Sequence, residues 1–420
     1  MFLISSPAPS PRPLTPIIIF KVALVMTNSS KRLSEYLETQ VARGAFPGAQ
    51  YVVGQDQRII CEGAVGFAVV EPERIPVAVD TIYDLASLTK PLVTSLLAVI
   101  FAALGTIDLN APLGQYLDEF DEKRKRKITL TQLLTHVSGL PNWRPLYLET
   151  SSPAGVPAYI AGLLDNSPAA ETFPLVYSDL NYILLGYVLE RTSGERLDLL
   201  AQKHIFDPLD LKRTMFNPPP DLKREIAATE HGQTFEQANA ASDMEIQRRG
   251  DGVMGRKCEP EILSPHHPIT SSPLHSHWRK DIIWGEVHDG NAYYLGGVAG
   301  HAGLFSVARE VFLIANQFLR GSSLVNEEGL RLFAKNLTDG QETSRSIGWI
   351  LASSKDCSAG TAMPRTAMGH TGFTGTSVWL DPDKRCAFVL LTNRIHPHVS
   401  TFDMKEVRQQ FNTLAVEELG

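Results

Sequence analysis

The chain has 420 residues, 43% of them apolar and 20% charged, with a formal charge of −7 and a pI near 6.0. That composition is ordinary for a globular protein and long enough to bury one large or two modest cores. It argues against a nucleic-acid partner, because phosphate binding needs a clustered basic surface, and the densest basic run, Lys123 to Lys127, follows the acids of Asp118 to Glu122 and reads as a solvated loop.

Residues 1–29 stand apart as an N-terminal extension. Met1 to Pro16 is rich in Pro and Ser, and Ile17 to Met26 is apolar except for Lys21, with no evident small-residue cleavage site. Two readings follow. Either Met26 is the true start, the preceding residues are spurious and the protein is cytoplasmic, or residues 1–29 are a degenerate export signal and the protein is secreted or reaches the cell envelope. Elsewhere no apolar run attains the roughly 18 residues of a membrane span, so none is expected.

From residue 30 to 420 the pattern is that of one domain. A helix begins near Ser30, with Leu33, Tyr36, Leu37, Val41 and Ala42 on one face, and stops at Gly44 and Pro47-Gly48. Ala49–Val53 and Arg58–Val65 read as a hairpin around the polar stretch Gly54 to Gln57. A short strand, Thr81–Leu85, runs into a helix from Ser87 to about Leu104, apolar nearly all round and therefore expected to be buried. From Pro112 to about Arg279 helices dominate, including Thr131–Val137 and Leu180–Thr192, the latter ended by Ser193-Gly194.

The stretch from Thr234 to Lys280 is polar and Pro-rich and carries His266, His267, His275 and His277, but no carboxylate or Cys stands at zinc-site spacing, so no metal is expected. It reads as a flexible, solvated insertion or as a flap over a site. A helix from Val307 to about Leu319 follows, with Ser306 as its N-cap, and the strands Thr376–Leu380 and Arg385–Thr392 flank the turn Asp381 to Lys384. Strands at both ends with helices between them imply an α/β fold: an antiparallel sheet lobe formed by both termini with flanking helices, plus an inserted all-helical lobe. Four cysteines, Cys61, Cys258, Cys357 and Cys386, show no Cys-x-x-Cys spacing and suggest neither a disulfide framework nor a zinc knuckle.

Chemistry concentrates at Ser87-Leu88-Thr89-Lys90, where a short strand meets the buried helix. A spacing of three puts the lysine one turn on, beside the hydroxyl. A desolvated lysine there is expected to have a lowered pKa and to take the serine proton. The helix N-terminus also offers a backbone N–H to a developing oxyanion. By itself the tetrapeptide is weak, since chance supplies it about once or twice in such a length, as an N-cap serine followed by a solvated lysine.

Its surroundings strengthen it. The segment Ile128-Thr-Leu-Thr-Gln-Leu-Leu-Thr-His-Val-Ser-Gly-Leu-Pro141, then Tyr177-Ser178-Asp179, then His370-Thr371-Gly372 before a strand ending Trp379-Leu-Asp-Pro382, follow in order. In these motifs the chain resembles the serine β-lactamase and penicillin-binding-protein family, nearest to class C β-lactamases, carboxypeptidases and related esterases. The resemblance covers nearly all of residues 30 to 400 and implies a β-lactamase/transpeptidase-like fold.

It also implies roles. Ser87 would be the nucleophile of an acyl-enzyme, Lys90 its activator, and Tyr177 a proton shuttle to the leaving group and from the deacylating water. The backbone N–H groups of Ser87 and Phe373 would form the oxyanion hole. Asp179, His370, Thr371 and Gly372 would contact substrate, with His370 and Thr371 on an edge strand along one wall. No metal or organic cofactor is required.

Two departures qualify the inheritance. Asp179 stands where the family motif has Asn, so an amide donor becomes a carboxylate that only accepts. His370 stands where it has Lys, so a fixed positive charge becomes one that depends on pH. The segment Val287-His-Asp-Gly-Asn-Ala292 with Gly296 to Ser306 looks like a stretch of penicillin-binding-protein-4B-like carboxypeptidases, and packing or hydrogen bonding is the expected role of His288 and His301. The expected substrate is a small ester, peptide or lactam. The implied activity is that of a D-alanyl-D-alanine-type carboxypeptidase or an esterase, with a β-lactamase or a non-catalytic sensor on the same fold as alternatives.

Overall fold

The computed structural model describes residues 28–120, 127–164, 173–249 and 278–419. Its strands in chain order are β1 (Gly48–Gln55), β2 (Arg58–Val69), β3 (Ile75–Pro76), β4 (Tyr83–Asp84), β5 (Met215–Phe216), β6 (Leu304–Ser306), β7 (Ile350–Leu351), β8 (Met368–Thr371), β9 (Ser377–Asp381) and β10 (Cys386–Thr392). A seven-stranded antiparallel sheet has the order β3-β2-β1-β10-β9-β8-β7. Its two central strands come from opposite ends of the chain, with Ala49 opposite Thr392 and Gln55 opposite Cys386.

The continuous apolar run of β10 is what a strand buried on both faces requires, and all seven of its residues are buried. Successive side chains alternate between two cores. Tyr51, Val53, Phe388 and Leu390 meet Leu33, Leu37, Phe411 and Ala415 of the terminal helices Asn28–Ala42 and Met404–Leu419. Val52, Val389 and Leu391 face the other way, onto Leu96, Leu97, Val311 and Phe312 and through them the helical lobe. The β1–β2 turn is tighter than the sequence reading: Gln55 pairs with Arg58, and Asp56 and Gln57 take φ of 51° and 64°, the two positive values of a type I′ hairpin.

The segment after Ser87 is not one regular helix. Ala86–Leu88 is a 3₁₀ turn, Lys90–Ser95 is π-helical and Leu96–Ala103 is α-helical. Contrary to the expectation from sequence, Ala86–Ala103 is long and apolar enough to qualify as a membrane span, but most of it is buried inside the protein, as a core helix is. Thr94 Oγ1 donates to the Gly300 carbonyl at 2.6 Å and Ser95 Oγ lies 2.9 Å from the Tyr182 hydroxyl, so the wide turn is stitched to both neighbouring segments.

A second, three-stranded sheet of order β4-β6-β5 frames the site. It changes the role of Ser306, which does not cap the following helix: it closes β6 opposite Tyr83, and its hydroxyl lies 2.7 Å from that of Thr214. Val307 takes the N-cap position with no side-chain cap. The stretch expected to be a loose insertion begins as a helix, Thr234–Arg249, because Gln233, Glu236 and Ala240 are buried against the body of the protein. His266, His267, His275 and His277 lie outside the described residues. Finally, β8 is not the edge of its sheet, although β7 pairs only with Met368 and Gly369 and stops short of His370 and Thr371.

Candidate active site

Ser87 sits on a strained turn. Ala86 before it has φ of 48°, left-handed backbone that L residues seldom adopt, and Asp84 holds it there. One Asp84 carboxylate oxygen accepts the Ala86 N–H and the other the His288 N–H, each at 2.8 Å. Burial pushes the Asp84 carboxyl up, and those two donors pull it partly back. The Asp84 and Leu85 carbonyls accept the hydroxyls of Thr374 and Thr376, at 2.8 and 3.1 Å. These bonds draw the end of the His370-Thr371-Gly372 strand against the serine turn. A methyl group on Gly372 would lie 2.5 Å from the Leu85 carbonyl oxygen, so only glycine permits the approach.

Lys90 is completely buried, and its ammonium is met on several sides. It donates to Ser87 Oγ at 2.9 Å and to the His301 carbonyl at 3.2 Å, and pairs with Asp179 Oδ1 at 2.7 Å. Burial alone would lower its pKa, which was the expectation from sequence. The Asp179 carboxylate and the Tyr177 phenol outweigh burial, and the pKa is raised instead. At neutral pH Lys90 is therefore a cation that donates to Ser87. The same pair corrects the reading of Asp179, whose carboxylate turns inward to the lysine.

Tyr177 is positioned by a loop whose bonds converge on His136. The His136 carbonyl accepts the Val176 N–H and its ring Nδ1 the Ser178 N–H, both at 3.0 Å. Ser178 Oγ donates to the Pro141 carbonyl at 2.6 Å, and the Asp179 N–H to that of Asn142 at 2.8 Å. The His136 ring then lies 4.5 Å from the Tyr177 ring. Burial, with the charges of Arg345 and Lys90 beside it, pushes the His136 pKa well below its usual value, so the ring is neutral.

His370 is also neutral. It is buried, its Nδ1 lies 2.9 Å from the Thr371 carbonyl oxygen, and its ring is 5.8 Å from that of Tyr177. Burial, then Lys90 and Arg345, hold its pKa well below 6.5. The pH-dependent positive charge expected there is absent in the physiological range. Thr371 is half-buried and Gly372 buried at the same strand end. Phe373 packs its ring on Phe235 and His288, with centroids 4.9 and 5.6 Å away, while Arg394 Nε donates to its carbonyl at 2.9 Å.

Sequence reasoning missed Arg345. It stands in the unremarkable stretch Thr343-Ser-Arg-Ser346, yet its buried guanidinium carbon lies 5.2 Å from the centroid of the Tyr177 ring. No motif announces it, because the turn that carries it is brought in by pairing with Ile350. By contrast, His288 and His301 are engaged as expected for packing residues: His288 Nε2 is 2.8 Å from Glu230 Oε2, and His301 Nε2 is 2.9 Å from Asp289 Oδ1. Burial opposes ionisation of both acids, but the paired histidines outweigh it and hold their carboxyls low.

A family model described as Beta-lactamase matches residues 33–412. A putative D-alanyl-D-alanine carboxypeptidase of Salmonella agona (strain SL483) is 30% identical, the match covering 88% of this chain and 83% of that protein. An N-acetylmuramyl-L-alanine amidase of Bacillus subtilis (strain 168) is 31% identical, over 91% and 85% of the two chains. Among solved structures, a β-lactamase/D-alanine carboxypeptidase from Yersinia pestis superposes with a TM-score of 0.63 at 18% identity, covering 93% of this chain and 99% of that one. EstCE1, a hydrolase with promiscuous acyltransferase activity, gives 0.66 at 18% identity, covering 93% and 98%.

Proposed function

The chain belongs to the β-lactamase family and is a serine hydrolase of its β-lactamase/carboxypeptidase type, and on that premise we propose that Ser87 cleaves an amide bond in an alanine-containing peptide through an acyl-enzyme. The observation that carries the reading is the contact of Ser87 Oγ with Lys90 Nζ at 2.9 Å, beneath Tyr177 and beside the Gly372 turn. The substrate class draws on two relatives whose names both describe cleavage at alanine amides.

Because Lys90 is already protonated, it is not the base. This mechanism requires the anionic form of Tyr177, whose oxygen takes the proton as Ser87 Oγ attacks the carbonyl carbon while Lys90 holds that Oγ. The backbone N–H groups of Ser87 and Phe373 receive the oxyanion. As the tetrahedral species collapses, the C–N bond breaks and Tyr177 passes its proton to the leaving amine. Water then enters, gives a proton to Tyr177 and attacks the ester, and Ser87 leaves with that proton. Thr371 and the strand end it closes form the wall along which an extended peptide lies.

A second reading, an esterase acting on short acyl esters, is favoured by the inward turn of Asp179 and the neutrality of His370, which leave neither a side-chain amide nor a fixed cation at those positions. Side-by-side assays with a D-alanyl-D-alanine peptide and p-nitrophenyl butyrate, with mass spectrometry of a penicillin or fluorophosphonate adduct, separate the two. The peptide is expected to turn over and the adduct to map to Ser87. Hydrolysis of the ester alone favours the second reading, and no turnover with no adduct removes both.

A further inference from the structure

Tyr177 is faced by five charged or titratable groups besides its own loop: Lys90, Arg345, His136, His370 and Tyr182. Four of them offer little net positive charge. Asp179 neutralises Lys90 through the 2.7 Å ion pair, burial keeps both histidines uncharged, and the Tyr182 phenol is fully buried and bonded to Ser95 Oγ and the Leu134 carbonyl.

Arg345 differs. It is buried, its Nε has no hydrogen-bond partner, and among the described residues the only groups that favour its charge are the phenols of Tyr177 and Tyr182. A guanidinium stays charged even when burial lowers its pKa, so the charge must be tolerated where it stands. A buried cation without a carboxylate carries a large desolvation cost, one retained where it stabilises negative charge that forms during a reaction.

We infer that Arg345 is a positioning residue for acyl transfer: its guanidinium supplies the un-neutralised positive charge on which the anionic form of Tyr177 depends. This rests on the acyl-enzyme reading above. Arg345 acts through the tyrosine rather than on the scissile bond. Its charge serves each step in which Tyr177 stands deprotonated, so its loss lowers turnover whatever the substrate's own charge.

The test compares Arg345→Gln and Arg345→Lys with the natural chain on p-nitrophenyl butyrate, a neutral ester with no carboxylate for an arginine to hold. Rates are expressed per Ser87 labelled to completion by a fluorophosphonate. The expected result is a fall in kcat of about tenfold or more for Arg345→Gln, KM within about threefold, and recovery of about a third or more of kcat in Arg345→Lys. Three results overturn the inference: an unchanged kcat for Arg345→Gln on the ester, a loss confined to the carboxylate-bearing D-alanyl peptide, which marks a substrate anchor, or a lysine variant no better than the glutamine one. Should Arg345→Gln fail to fold, Arg345→Lys decides alone, since a fall of about a hundredfold with charge retained is incompatible with the role. Failure of the natural chain itself to label at Ser87 would instead strike the hydrolase reading.

Discussion

Two corners of the cleft bury charge in opposite ways. Around His288 and His301 the buried acids are held by partners: Glu230 by His288, Asp289 by His301, Glu236 by the Gln233 side chain and the Gly290 N–H, and Asp84 by the Ala86 and His288 N–H groups, while Arg279 meets Glu286 and the carbonyls of Val287 and His288. Around Ser87 the charges do not balance, because Asp179 answers Lys90 but among the described residues no carboxylate answers Arg345. The first arrangement is what holds a scaffold together. The second leaves charge free to act on a reaction, and the comparison teaches that surplus, rather than burial itself, distinguishes the two corners.

Substitutions can break that contrast. Ser87→Ala is expected to lower kcat by on the order of 10³-fold or more while shifting the unfolding midpoint little, since among the described residues its side chain makes one hydrogen bond, to Lys90. Steady-state kinetics beside urea unfolding measures both; a variant that is active but unstable reverses the assignment of the corners.

In the paired corner the expectation is the converse. Glu230 is fully buried and accepts from His288, Thr234 Oγ1 and the Phe235 N–H. Glu230→Ala strands those partners and is expected to cost about 3 kcal/mol of folding stability, with kcat per labelled serine within about threefold of the natural chain. A large loss of kcat in protein that remains folded would place Glu230 in the chemistry.

Asp179→Asn sharpens the comparison from the site side. With the carboxylate gone, burial dominates at Lys90 and draws its pKa down, reversing the direction found in the structure. We expect kcat to fall about tenfold and a new ionisation to enter the pH–rate profile near or above neutrality, because Lys90 then loses its proton within the assay range. An unchanged profile would show that Asp179 is not what keeps the lysine charged.

How far the sequence reached follows the same division. The hairpin β1–β2, the helix Asp179–Ser193 with its glycine stop, and the closing pair β9–β10 were legible because alternation, helical period and turn residues are local. Ser87, Lys90, Tyr177 and the His370-Thr371-Gly372 strand were legible as spaced motifs. The sign of the Lys90 shift was not, since it turns on a carboxylate placed 2.7 Å away across a distance of 89 positions in the chain (179 − 90). Arg345 was invisible for a related reason: nothing in Thr343-Ser-Arg-Ser346 records that folding buries it beside Tyr177. Ser306 read as an N-cap because it precedes a helix, but pairing of β6 with β4 claimed it.

The smallest effect concerns the two neutral histidines beside Tyr177. The folded-state pKa values of His136 and His370 lie well below 6.5, so as pH falls through that value the unfolded chain binds protons that the native chain does not. Stability from this source is fully present above about pH 6.5 and declines below it, by about 1.4 kcal/mol per pH unit for each histidine until its own folded-state pKa is reached. The opposite slope would require a raised pKa, and neither residue has one. Urea unfolding between pH 6.5 and 5 is therefore expected to steepen in pH dependence relative to pH 7–8, and His370→Asn to remove about half of the part these two residues contribute. His204 and His396, whose pKa values burial also lowers, and the acids Asp84, Glu190 and Glu236, whose pKa values burial raises, supply a background common to both proteins. An identical slope in the variant would mean that His370 takes up a proton in the native state, returning to this wall of the cleft the pH-dependent charge that its burial beside Lys90 and Arg345 denies it.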